Sequence, residues 1–156
     1  MLSSPMVGAI AITAADPSGV WGLLKESMAG GWAVLEARQN AHANPLVRAV
    51  AEDFATAEGR TTARAALQSR FTGAKLEKLK DMALAELRAV SDILDAKASE
   101  DAAGFKAWLQ EVAQKAAEAG TEGGFLGFGG IAVSESEKAT LAEISVALKG
   151  NRIATI

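Results

Sequence analysis

The sequence predicts an all-α fold, a single-domain helical bundle of about six or seven helices around one long central helix. Apolar residues recur at three-and-four spacing along much of the 156-residue chain, which is the period of a helix and not of a strand. Hydrophobic residues make up 49% of the sequence, much of it alanine, while aromatic residues make up 5% and Tyr is absent. This composition favours close-packed helices over sheets, and the chain is long enough to bury a core.

The central helix is predicted from Lys75 to Lys97. Its apolar side chains fall on one helical stripe, with Met82 and Ile93 beside it, and most of its charged residues lie off that stripe. A one-sided helix of this length must bury its stripe against other helices, and each buried Leu or Val contributes about 1.5 to 3 kcal/mol. The stripe consists of Leu76, Leu79, Ala83, Leu87, Val90 and Leu94.

Residues 1–15 are predicted to form an apolar arm or a short helix. The apolar side chains Met6, Val7, Ile10 and Ile12 are spread too evenly to define one helical face. Because no Lys or Arg precedes this run, and because the run is too short to span a bilayer, a signal peptide and membrane contact are not expected. A cytoplasmic location is the default prediction.

Two cap-and-proline pairs predict the next helices. Asp and Asn are favoured N-cap residues, and Pro is tolerated at the first helical position. The pair Asp16-Pro17 therefore predicts a helix over 17–38, and Asn44-Pro45 predicts one over 45–57. The buried face of the second is predicted to contain Leu46, Val47, Val50 and Phe54.

A further helix is predicted between the second of these and the central helix. Glu58-Gly59 is interpreted as a helix end, because Gly is common just after a helix. Thr61 or Thr62 would then cap a helix that ends near Phe71 and is stopped by Gly73.

The last two helices are predicted from their caps. Ser99 would cap a helix that ends near Ala119, with Gly120 as its left-handed C-cap. Residues 134–137 match a capping box, which predicts a last helix ending at Gly150, followed by a tail over 150–156. The buried side chains would be Phe105, Trp108, Leu109, Val112 and Ala116 in the first of these helices, and Leu141, Ile144 and Leu148 in the second.

Composition excludes several kinds of chemistry. The chain has no Cys, which removes disulfides, thiolate metal sites and a thiol nucleophile. The single histidine, His42, is too few for most zinc sites, di-iron sites and catalytic triads, so we expect no metal site, no cofactor and no catalytic residue. A net charge of -3 argues against non-specific attraction to nucleic acid.

The segment over 120–133 is rich in glycine and carries Phe125, Leu126 and Phe128. A phosphate cradle is disfavoured, because the segment lacks the Gly-Lys-Ser/Thr ending and is followed by acidic residues. Two interpretations remain. The segment could fold back as a loop that plugs one end of the bundle, or its apolar residues Phe125, Leu126 and Phe128 could form an exposed wedge for a partner protein or a lipid surface.

The tryptophans Trp21, Trp32 and Trp108 all lie on predicted helices at positions compatible with a buried stripe. Ordinary core packing explains such residues, because aromatic side chains dominate burial. Packing is therefore favoured, and the alternative is that they line a pocket between helices for an apolar ligand, since such pockets are mostly apolar and aromatic with few polar groups.

Polar candidates for a site have simpler interpretations. Glu52, Asp53 and Glu58 have no companion His at a metal-binding spacing, so a solvated helix face is favoured. His42 is interpreted as an exposed loop residue. The basic stretch over 60–80 is diluted by acidic residues, which is typical of a mixed solvated surface.

Two segments resemble the TerB-like helical family. They are "AITAADPSG", over 11–19, and "GGIAVSESEKATLAEI", over 129–144, in which a small acidic or glycine turn precedes a Ser/Thr-capped helix with Glu in its first turn. The resemblance implies a helical fold and a metal-binding role, although Gly129 stands where the family has an acidic residue. The chain as a whole is similar to small bacterial helical proteins.

These observations predict a non-enzymatic interaction or assembly module that uses Phe125, Leu126 and Phe128, with a homodimer as one form of assembly. The alternative is a helical bundle that binds a small apolar molecule in a pocket lined by tryptophan.

Overall fold

A computed structural model gives the fold and describes residues 1–15, 34, 36–40, 43–122 and 133–150. Six α-helices lie within these residues, and no strand is found among them. The predicted all-α bundle is therefore confirmed. The helices are α1 (Ser4–Ala15), α2 (Pro45–Ala55), α3 (Ala57–Phe71), α4 (Leu76–Lys97), α5 (Ser99–Glu122) and α6 (Glu135–Lys149).

The N-terminal segment forms a helix, the second of the two forms predicted for it. Helix α1 packs against α4, α5 and α6, and Val7, Ala11 and Ile12 on it are buried. Its apolar residues define no single face because neighbouring helices cover it on several sides. The centre of the bundle is thus shared by α1 and the long helix α4.

The predicted helix over 17–38 lies mostly outside the described residues. Its described end, over 36–39, is helical, and the amide of Asn40 donates to the carbonyl of Glu36 at 3.0 Å. This helix therefore ends at Gln39, next to the predicted position. The side chain of Ala37 on it is buried.

The predicted break at Glu58-Gly59 is wrong. Helix α2 ends at Ala55, and the hydroxyl of Thr56 accepts from the Gly59 amide at 2.8 Å, so Thr56 and not Thr61 or Thr62 caps α3. A Cβ at Gly59 would lie 2.0 Å from the carbonyl oxygen of Asp53. The glycine therefore allows the first turn of α3 to approach the last turn of α2, and it does not end a helix.

Helix α4 confirms the predicted central helix. It packs against α1, α5 and α6, and the polar side chain of Ser91 is buried among its apolar residues. Ile93, predicted beside the stripe, is 50% exposed. The buried apolar residues of α4 are Ala83, Leu84, Leu87, Val90 and Leu94.

Helix α5 is longer than predicted at its C-terminal end. It begins at Ser99, which is helical itself and not a flanking cap, and it continues through Gly120 to Glu122. Gly120 is therefore not a C-cap. A glycine inside a helix costs only about 1 kcal/mol relative to Ala, which the remaining turns of a long helix can offset.

Helix α6 confirms the predicted capping box and end. The hydroxyl of Ser134 accepts from the Glu137 amide at 3.2 Å, and the Glu137 carboxylate accepts from the Ser134 amide at 2.8 Å. The helix ends before Gly150, which adopts φ +67°. The buried hydroxyl of Ser91 donates to the carbonyl of Leu148 at 2.9 Å and so ties the end of α6 to α4.

One hydrophobic cluster contains residues from all six described helices, among them Val7, Val47, Leu67, Phe105 and Ile144. The two helices α2 and α3 lie at its edge: α2 packs against α3 and α5, whereas α4, α5 and α6 surround α1. None of the helices in the described part of the chain combines the length and apolar character needed to cross a bilayer.

Candidate functional site

A cleft of about 480 Å³ lies between one side of α5 and the segments over 36–40 and 43–47. Ligand pockets commonly have volumes of roughly 300 to 1,000 Å³ and combine an apolar lining with a few polar groups. The volume of the cleft is in this range, whereas its lining is somewhat more polar than apolar. Its apolar lining comprises Ala37, Ala43, Val47, Ala107 and Trp108, and its polar lining comprises Glu36, Asn40, Asn44 and Glu111.

Asn44 fixes one end of this cleft. Its side-chain oxygen accepts from the amides of Leu46 and Val47 at 3.0 and 3.2 Å, which caps α2 as predicted. Its side-chain nitrogen donates to the carbonyl of Asp101 on α5 at 3.2 Å. A single side chain thus begins one helix and holds it against another.

Gly104 allows this contact. A Cβ at Gly104 would lie 2.7 Å from the side-chain nitrogen of Asn44, closer than carbon and nitrogen atoms can approach without displacement. The absence of a side chain at this position lets Asn44 reach the backbone of α5. Gly104 also lines the cleft, so it forms part of the same corner.

Trp108 is the most deeply buried large side chain in the cleft lining, with 7% of its surface exposed. Its ring packs edge-on against Phe105, with ring centroids 5.3 Å apart and planes at 66°. Its indole Nε1 is buried and has no hydrogen-bond acceptor among the described residues. A buried donor without an acceptor costs about 1 to 3 kcal/mol, so this unpaired indole N–H lowers the stability of the fold.

The opposite end of the cleft is charged. Lys115 Nζ forms an ion pair with Glu36 and lies 3.3 Å from Glu111 Oε1, so that it bridges residue 36 to α5. The hydrogen bond to Glu36 raises the pKa of Lys115 above its ordinary value of 10.5, although burial acts in the opposite direction. Lys115 is therefore protonated at neutral pH. The side chains of Glu36 and Glu111 are 67% and 57% exposed.

The aromatic candidates are only partly located by the structure. Trp108 is in the described part of the chain and lies in the cleft lining. Trp21 and Trp32 lie outside the described residues, so a pocket formed by all the tryptophans stays a prediction. Phe125, Leu126 and Phe128 also lie outside the described residues, and the choice between a plug and an exposed wedge stays open.

The carboxylate candidates are exposed. Glu52 and Asp53 lie on α2 and Glu58 lies in the first turn of α3, and Arg48 Nη2 is 3.7 Å from Glu52 Oε1. Across the described ranges, no group of three His, Cys, Asp or Glu side chains is placed to share a metal ion. His42 lies outside those ranges.

The basic stretch over 60–80 contains residues that form ion pairs with acidic residues. Arg70 Nε lies 3.0 Å from Glu86 Oε2, and Lys80 Nζ lies 2.8 Å from Glu143 Oε2. These two cations connect helices, since Glu86 is on α4 and Glu143 is on α6. The pairs support the interpretation of this stretch as a mixed surface.

Several cleft residues were not identified from the sequence. Glu36, Gly104, Glu111 and Lys115 reach the site through tertiary contacts, and the ion pair between Lys115 and Glu36 joins residues 79 positions apart. Two weak signals were present. A glycine inside a helix often marks a close approach, and Glu111 and Lys115 have the spacing of a helical ion pair.

Comparison with known proteins adds no further identification. No family model, no curated protein and no solved structure matches this chain. The resemblance to the TerB-like family therefore stays a prediction.

Proposed function

We propose that this protein binds a small molecule with both apolar and polar groups in the cleft that α5 forms with residues 36–40 and 43–47, and that it does so without catalysing a reaction. The observation that carries this proposal is the cleft itself, which has a volume of about 480 Å³ and whose wall includes the aromatic side chain of Trp108.

Three properties of the cleft support binding. Its volume is in the range of small-molecule sites, and its apolar wall includes Val47, Ala107 and Trp108. The cleft also has a fixed corner, because Asn44 bonds to both α2 and α5. A wall held by hydrogen bonds loses little entropy when a ligand enters, which favours affinity.

The proposal can be tested by filling the cleft. Ala107 and Ala103 are both exposed alanines on α5, one turn apart, and Ala107 lines the cleft whereas Ala103 is absent from its lining. We expect native mass spectrometry of protein purified from its host to show a bound small molecule in the wild type and in Ala103→Leu. Ala107→Leu should lose it, because the added carbons occupy the ligand's volume.

Retention of the ligand by Ala107→Leu would contradict this proposal. If Ala107→Leu retains the same added mass with the same occupancy as Ala103→Leu, the cleft is not the binding site. Circular dichroism spectra of both variants provide the control for folding, since Leu is a good helix former at either position.

A second function, self-association or capture of a partner protein, is supported by the sequence of the segment over 120–133. Phe125, Leu126 and Phe128 would form its contact surface, and a homodimer is the simplest assembly. The double variant Phe125→Ser with Phe128→Ser should weaken association in sedimentation experiments and leave the melting temperature nearly unchanged. Ile93→Ser, at an exposed apolar residue of α4, is the matched control. A large loss of stability in the double variant would support the plug instead.

A further inference from the structure

Helix α3 buries few side chains for its length. Of its 15 residues, Gly59, Ala63 and Leu67 are buried, and they follow one another at four-residue spacing along one narrow stripe. Gly has no side chain to pack and Ala has only a methyl group, so Leu67 supplies most of this buried apolar surface. The central helices bury larger side chains, such as Leu87 on α4 and Ile144 on α6. Helix α3 is therefore held on the bundle by less hydrophobic burial than these helices.

The position of α3 also separates it from the centre of the bundle. Its main packing partner among the described helices is α2. Its link to α4 is an ion pair, in which Arg70 Nε lies 3.0 Å from Glu86 Oε2, and its last residue, Phe71, is partly buried against the core. Because the Arg70 side chain is almost half exposed, this ion pair contributes little. Helix α2 is held more firmly, since it packs on α5, buries Val47 and is bonded to α5 through Asn44.

Both ends of α3 are natural boundaries. Thr56, with φ -80° and ψ 155°, is a single extended residue between α2 and α3. After the helix, Gly73 adopts φ +75°, and a Cβ at this glycine would meet no atom within 4 Å in the described part of the chain. The helical hydrogen bonds of α2 and α4 lie outside these two residues, because α2 ends at Ala55 and α4 begins at Leu76. Helix α3 can thus unfold while its neighbours in the sequence keep their helical hydrogen bonds.

We infer that α3 is a conformational device, a helix that detaches and unfolds as a unit between Thr56 and Gly73 while α1, α2, α4, α5 and α6 stay folded. A helix of 15 residues is marginally stable in water without tertiary contacts, so detachment also breaks its backbone hydrogen bonds. The open form exposes Leu67 and the face of α2 that α3 covers. The protein thereby gains an apolar surface that the closed form hides, at a lower free energy than global unfolding.

Hydrogen exchange of the backbone amides, followed in ¹H–¹⁵N spectra of the full chain, measures this opening. After correction for intrinsic rates, the slowest amides of α3 should exchange about a hundredfold faster than the slowest amides of α4 and α5. Urea at concentrations below the unfolding transition should speed exchange in α4 and α5 more than in α3, because the local opening exposes less surface. Equal rates with equal urea dependence would show that α3 unfolds only with the whole molecule and would overturn the inference.

A substitution in the centre of the bundle separates the local opening from global unfolding. Ile144→Val removes a methylene from a contact that stays intact when α3 opens. It should therefore speed exchange in α4 and α5 by about fivefold and change the rates in α3 by less than about twofold. The matched control is Ile93→Val, the same change at a half-exposed residue of α4, which should leave all rates within about twofold. An equal acceleration of α3, α4 and α5 in Ile144→Val would contradict the inference.

A substitution on α3 provides the reciprocal test. Leu67→Ala removes the main apolar contact that is lost on opening, so it should speed exchange in α3 by at least about tenfold while α4 and α5 stay protected. Unchanged exchange in α3 would show that Leu67 remains packed in the exchanging form. Loss of protection in α4 and α5 would show that the bundle needs α3 in order to fold. Either result would overturn the inference.

Discussion

The two flanks of α5, one facing α4 and α6 and the other facing α2, differ in how fully their polar side chains are hydrogen-bonded. On the flank that faces α4 and α6, Lys106 Nζ contacts Asp95 Oδ1 at 2.6 Å and Gln110 Nε2 contacts Ser145 Oγ at 3.4 Å. On the flank that faces α2, Asn44 is bonded to the backbone, but Trp108 Nε1 has no acceptor among the described residues. The first flank holds the bundle together, whereas the second retains the cleft and a buried donor without an acceptor among the described residues. The cleft on the α2 side is therefore where we propose that a ligand binds.

The largest expected loss of stability follows from a substitution of Phe105, which belongs to the core between the two flanks. Phe105 is fully buried between them and contacts Trp108. Phe105→Ala should lower the free energy of unfolding by about 3 to 5 kcal/mol, because it removes apolar contacts and leaves a cavity. Urea denaturation followed by circular dichroism measures the loss. The exposed control Val146→Ala should stay within about 0.5 kcal/mol of the wild type, and a similar loss in both would contradict the assigned core.

Ser91 and Trp108 both carry a buried hydrogen-bond donor, but only the donor of Ser91 has an acceptor among the described residues. Ser91→Ala removes the donor to the buried Leu148 carbonyl and should cost about 1 to 3 kcal/mol of unfolding free energy. Trp108→Phe removes a donor that has no acceptor among the described residues, so relief of that penalty offsets part of the lost packing. We expect Trp108→Phe to cost less than Ser91→Ala in the same denaturation experiment. The reverse order would show that the indole N–H is satisfied in solution.

A smaller loss of stability is expected at Asn44, which both caps α2 and donates a hydrogen bond to α5. Asn44→Ala removes both the cap of α2 and the donor to Asp101, and should cost about 1 to 2 kcal/mol. Asn44→Asp retains an acceptor for the cap and loses only the donor to α5. We expect Asn44→Asp to be the more stable of the two in thermal denaturation. Equal stability of the two variants would mean that the cap contributes little.

The smallest expected change in the free energy of unfolding is at Lys115, at the charged end of the cleft. Because the folded state raises the pKa of Lys115, its contribution to stability is fully present below the ordinary value of 10.5 and is lost as pH rises through the higher folded value. The pair is largely exposed, so this contribution should be less than about 1 kcal/mol. Lys115→Gln should therefore change the unfolding free energy only slightly at pH 7, and the difference from wild type should disappear in strongly alkaline solution. A difference that grows with alkaline pH would contradict this assignment.

The sequence predicted the helices well where their signals were local. The Ser134 capping box and the Asn44 cap were read from neighbouring residues, and the structure confirms them. The apolar stripe of α4 was read in the same way and is confirmed at Ala83, Leu87, Val90 and Leu94. The error at Gly59 has a physical cause. A glycine that ends a helix and a glycine that permits close packing look the same in sequence, and only the position of Asp53 beside Gly59 distinguishes them.

The cleft was less predictable because its contacts are distant along the chain. Trp108 was identified as a buried aromatic residue, but its unpaired Nε1 depends on which groups surround it in three dimensions. The bond from Asn44 to Asp101 joins residues 57 positions apart. Spacing rules describe neighbours on one helix, so they could not predict that these residues meet.

The position of α1 has a consequence for synthesis. Helix α1 ends at Ala15, but its first described partner, α4, begins at Leu76. At a translation rate of about 5 to 20 residues per second, roughly 3 to 12 seconds pass between the two. During that time Val7, Ala11 and Ile12 have none of their contacts with α4, α5 and α6. We therefore expect the nascent chain to depend on chaperones that shield this segment until the later helices leave the ribosome.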